Sequence, residues 1–123
     1  MTRKPNRTAA LTNAETCEVL RGADNRAAVS LATSDDRACL VSSASTERAT
    51  LITRVVADGS LDAPTREGLL ALINHRADSI IAAANGQAAA GYRAAEAEAA
   101  GAQQRAGALR RQLDSVRAPR PRP

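Results

Sequence analysis

The sequence predicts an all-α protein: short N-terminal helices packed on one long Ala-rich C-terminal helix. Two observations carry that expectation. Asp62 is a good helix N-cap, followed by Ala63-Pro64 in the first turn, where a missing amide hydrogen costs nothing, with Glu67 near the positive end of the dipole. Steps of four, four and three from Leu69 then visit Ile73, Ala77, Ile80, Ala84, Ala88, Gly91, Ala95, Ala99, Ala102, Ala106, Leu109, Leu113 and Val116 with little change of spacing, and each is apolar or glycine. An eleven-residue spacing of this kind keeps one stripe on one side of a nearly straight helix. Alanine is so common between Ala82 and Ala108 that only the large residues at the two ends of the stripe are diagnostic.

In chain order, residues 1–10 form a polar, basic lead-in with Pro5, expected to be a disordered tail. Residues 11–61 form a head of short helices. Thr12-Asn13-Ala14-Glu15 matches the capping box, and a helix from there to about Arg21 is ended by Gly22. Asp24 can cap a further helix through Ala32, or the chain can be extended there. Residues 27–45 are ambiguous: two apolar runs flanking Ser34-Asp35-Asp36-Arg37 read as two short helices or as a β-hairpin. Helices are favoured, because an isolated two-stranded hairpin is marginally stable. From Thr46 onward Ala49, Ile52, Val55 and Val56 share a helical face, and Asp58-Gly59-Ser60 has turn chemistry. A short link there suits an antiparallel pair, with Ile52, Val55 and Val56 against Leu69, Leu72 and Ile73.

Residues 62–117 are the long helix. Asn85-Gly86 is its expected weak point, where a left-handed cap would fold the two halves into an antiparallel hairpin; the alanines on either side favour continuity. Residues 118–123 alternate proline with arginine and give an extended basic tail.

A chain of 123 residues suits one domain, yet Leu, Ile, Val and Phe number only 21, which is thin for a packed globule. The chain is therefore expected to borrow apolar surface from a partner, itself or another helical protein. The candidate contact stripe is Leu69, Ile73, Ala77, Ile80, Ala84, Leu109, Leu113 and Val116. Arginine outnumbers lysine 16 to 1 and alanine abounds, as GC-rich coding in a high-GC bacterium or its phage would produce. Cys17 and Cys39 lack metal-ligand spacing and read as reduced, buried thiols. Neither a secretory signal nor a membrane span is expected, so the protein should be cytoplasmic or lie within a phage particle.

Chemistry has little support. His75 is the sole histidine, with Asp78 as its only local partner; the acidic Glu15 and Glu18 beside Cys17 run against a reactive nucleophile there; no Walker loop, dinucleotide fingerprint, zinc helix or calcium loop occurs. The expectation is a non-enzymatic protein with no cofactor and no metal: a scaffold, a connector or a minor component of a larger particle. The alternative is an accessory nucleic-acid-binding protein. Its candidate contacts are Arg3, Lys4, Arg7, Arg110, Arg111, Arg117, Arg120 and Arg122, binding nonspecifically because a helix-turn-helix pattern fails and base stacking has only Tyr92 to use.

Overall fold

The computed structural model describes residues 6–118. It contains two helices, α1 (Arg7–Ala57) of 51 residues and α2 (Ala63–Arg117) of 55, joined by a short turn. The fold is a helical hairpin. The expected cluster of short N-terminal helices is one long helix instead, and residues 27–45 are helical throughout rather than a β-hairpin.

Each end of α1 has a local cause. Asn6, not Thr12, is the N-cap: its Oδ1 accepts from the amides of Thr8 (3.1 Å) and Ala9 (3.4 Å). The helix thus begins inside the stretch expected to be a tail. Thr12 turns its hydroxyl back to the Thr8 carbonyl at 2.9 Å, as Thr16, Thr50 and Thr53 do to the carbonyls four residues before them. This back-bonding satisfies the hydroxyls without breaking the helix. At the far end the Asp58 carboxylate accepts from the Ser60 amide (3.0 Å) and hydroxyl (2.5 Å), closing the turn. Asp62 then caps α2 by accepting from the Thr65 amide at 2.8 Å. Arg66 braces the turn through a bond to the Leu61 carbonyl at 3.5 Å. The last bond of α2 runs from the Ala118 amide to the Asp114 carbonyl (2.9 Å), immediately before Pro119 removes the next donor.

Contacts divide the chain into two units. The first joins α1 up to Ser30 with α2 from Arg93. Gly22 is buried here, with no room for a β-carbon beside the Ala102 methyl. Glycine that reads as a helix stop in isolation is therefore a contact point, and close packing offsets its propensity cost of roughly 1 kcal/mol. Ala95, Ala102, Ala106 and Leu113 are buried on the α2 side. Glu18 with Arg105 (2.9 Å) and Arg26 with Glu96 (2.6 Å) link the two segments in antiparallel register.

The second unit spans Leu31 to Tyr92 and includes the turn. Ala44, Ala77, Ala84 and Ala88 are its buried residues. Gly91 faces Thr33, where a β-carbon would again collide. Near the turn Leu51, Ile52, Val55, Leu69, Leu70 and Ile73 are half-buried, whereas Val56 and Leu72 are exposed. Of the expected set of Ile52, Val55 and Val56 against Leu69, Leu72 and Ile73, Val56 and Leu72 thus fall out: each lies off the face that its half-buried neighbours share, and Leu51 and Leu70 are half-buried instead. Asn85-Gly86 does not break α2, because the hairpin turns at 58–62. Asn85 instead accepts from Arg37 Nε at 2.7 Å, and no residue among those described has positive φ.

The seven glycines therefore separate into classes. A β-carbon at Gly86 meets nothing within 4 Å, so Gly86→Ala should stabilise by about 0.5–1 kcal/mol through helix propensity alone. Gly22→Ala and Gly91→Ala should instead destabilise, because overpacking of about 1–3 kcal/mol outweighs that gain. Urea unfolding of the three variants checks this, and Ala102→Gly should restore part of the loss in Gly22→Ala.

Candidate interaction surfaces

Much of the stripe expected to meet a partner is covered within the chain. Among its eight candidate residues Ala77, Ala84 and Leu113 are buried, Leu69, Ile73, Ile80 and Leu109 are half-buried, and Val116 is exposed. Each contact unit pairs a segment of α1 with a segment of α2, so the other helix contributes the cover over these side chains.

The unit around the turn leaves several large side chains in solvent. Leu31, Val56 and Leu72 are 64%, 60% and 66% exposed. Tyr92, the only aromatic residue, is also exposed and shares a 2.6 Å hydrogen bond with the Ser34 hydroxyl. Polar pairs flank these groups. Arg48 reaches Asp78 at 3.2 Å, leaving His75 exposed and without the acid considered as its partner, and Arg76 pairs with Glu47.

In the other unit Val19 and Leu20 are exposed, and a groove of about 240 Å³ runs beside the Gly22–Ala102 contact, lined by Val19, Ala23, Ala99 and Gln103. Its basic candidates have different fates. Arg110 is engaged by Glu15 (3.8 Å) and Asp114 (3.5 Å). Arg7 and Arg111 line one cleft, and Arg117 is exposed in the last turn of α2. Arg3, Lys4, Arg120 and Arg122 lie outside the described residues.

Cys17 and Cys39 are both exposed free thiols, contrary to the expectation of burial. They sit on α1 at positions away from its small-residue contacts. Among the described residues no group of three or more His, Cys, Asp or Glu side chains could hold a metal ion, and no helix is long and apolar enough to cross a membrane.

The arginine rungs went unread in the sequence. Arg26, Arg37 and Arg48 recur every eleven residues on α1, and each bonds an acceptor on α2: Glu96 in one unit, Asn85 and Asp78 in the other. Gly22, Thr33 and Ala44 repeat at the same spacing, and each is buried or half-buried. This repeat was the available signal that α1 is a single helix matched to α2.

Three carboxylates are held below their ordinary pKa values. Arg105 does so for Glu18, chiefly by donating a hydrogen bond and secondarily with Arg21 by charge; Ser60 lowers Asp58, and Thr65 lowers Asp62. The folded chain favours the charged form of each, so each contributes stability at neutral pH. That contribution is lost as pH falls below the ordinary values of 4.5 for Glu18 and 3.8 for the aspartates. Melting temperature by circular dichroism should be flat from neutral pH down to about 5 and decline below the carboxylate values. Glu18→Gln should remove part of that decline.

No family model matches the chain, and no characterised protein or solved structure matches it.

Proposed function

We propose that the chain is a non-enzymatic helical assembly protein: a scaffold, connector or minor component of a larger particle. It meets a helical partner, a second copy of itself or another helical protein, through the large aliphatic side chains that its own helix contact leaves uncovered. The observation carrying this reading is an inversion of size. Among the described residues alanine fills nearly all the buried positions and Leu113 is the only large side chain fully buried, while Leu31, Val56 and Leu72 face solvent.

Full burial of such a side chain is worth about 1.5–3 kcal/mol, against about 0.8 kcal/mol for a group the size of an alanine methyl. Part of the apolar gain open to this sequence is therefore still unclaimed in the lone hairpin. A helix laid on either α1 or α2 claims it, with small residues such as Ala38, Ala83 and Ala89, all exposed, permitting close approach.

Light scattering during size exclusion tests the reading, with mass taken from refractive index because one tyrosine gives little absorbance. The expected mass is a multiple of 12.8 kDa. Leu31→Asp, Val56→Asp and Leu72→Asp, examined singly, should each leave helicity intact because these side chains are exposed, and at least one should lower the mass to the monomer. A chain that is monomeric at high concentration and retains no helical partner from its source would overturn the proposal.

A further inference from the structure

Where α1 begins and α2 finishes, a cleft of about 640 Å³ is lined by Arg7, Arg111, Gln112 and Ser115, with Ala108 and Val116 as apolar wall. Each polar side chain in that set can donate a hydrogen bond, two are permanently cationic and none is a carboxylate. The acid in this stretch of α2, Asp114, is held by Arg110, which also faces Glu15. Arg7 and Arg111 enter none of the ion pairs among the described residues. Among the described residues the cleft thus keeps two guanidinium groups outside any ion pair, while the neighbouring Arg110 engages both Glu15 and Asp114.

The helix dipoles do not supply the attraction. The positive end of α1 and the negative end of α2 each amount to about half a charge and oppose one another here. The first amides of α1 are also taken, since Asn6 Oδ1 accepts from Thr8 and Ala9. Selectivity must then come from the side chains. Two guanidinium forks with an amide and a hydroxyl offer more donors than the two oxygens of a carboxylate can accept, and they match the several oxygens of a phosphate.

We propose that this cleft is a binding site for a phosphate-class anion, in which Arg7 and Arg111 supply charge and Gln112 and Ser115 supply neutral donors. The same chemistry serves a free polyphosphate or one segment of a nucleic-acid backbone. The site is independent of the assembly role, because neither arginine belongs to the uncovered aliphatic surface.

The full chain titrated with inorganic pyrophosphate at low salt, followed by calorimetry, tests the site. Saturable binding with one anion per chain is expected. Arg7→Gln combined with Arg111→Gln should weaken it at least tenfold, as should Gln112→Glu, which places a carboxylate in the cleft and leaves both arginines. Arg54→Gln, an exposed arginine at the end of α1, should change it less than twofold. Arg3, Lys4, Arg120 and Arg122 remain in every variant, so these losses would assign binding to the cleft rather than to the terminal arginines. Absence of saturable binding, or equal weakening by Arg54→Gln, would overturn the proposal. A single-stranded oligonucleotide that competes with pyrophosphate and weakens steeply with salt would identify the nucleic-acid source. An oligonucleotide that fails to compete would identify a free phosphate ligand.

Discussion

The close approach of α1 and α2 is the constraint on which the other features depend. Gly22 against Ala102 in one unit and Thr33 against Gly91 in the other leave no space for an additional β-carbon. Backbones that near one another admit only small residues between them, so the buried positions are filled by Ala44, Ala77, Ala84, Ala88, Ala95, Ala102 and Ala106. Such a contact gains little from each residue. It must be repeated at many positions, which is why both helices are several times longer than the three or four turns of an average globular helix.

That repetition fixes what is left for other purposes. Most large aliphatics are half-buried at the margins of the contact, as at Leu11, Val29, Val41, Ile80 and Ile81, whereas Val19, Leu20, Leu31, Leu40, Val56, Leu72 and Val116 face outward. Charged rungs such as Arg48–Asp78 and Arg26–Glu96 lie in solvent, where ion pairs add little stability. Their physical contribution is register. A shift of either helix against the other would separate Arg37 from Asn85 and would push Gly91 off Thr33. Size, spacing and charge thus specify one antiparallel alignment, and the outward aliphatics are left uncovered by it.

The sequence was legible where a local interaction decides the structure. Asp62 before Ala63-Pro64 marked the start of α2, Asp58-Gly59-Ser60 marked the turn, and the spacing from Leu69 to Leu113 marked the face that is covered. It was misleading where a distant contact overrides a local preference. Gly22 and Asp24 read as a stop and a new start, yet Gly22 is required beside Ala102 and α1 passes through both. Thr12-Asn13-Ala14-Glu15 has capping chemistry, but Asn6 caps earlier and the threonine hydroxyl is satisfied by the Thr8 carbonyl. The exposed cysteines and the cleft shared by Arg7 and Arg111 could not be read without the register of α1 on α2.

The chain folds back at 58–62, placing α1 beside α2 through small residues. The most direct measurement is a spin-label distance in the unit around the turn, between Cys39 and a second label at Gln87→Cys in a Cys17→Ala background. Both labelled positions are exposed, and dilution with unlabelled chain isolates the intramolecular distance. Helices packed at ~8–10 Å between axes predict a narrow distribution below about 30 Å, label arms included. Helices that do not fold back would separate the labels by roughly 70 Å at 1.5 Å per residue, and a distribution centred there would contradict the account.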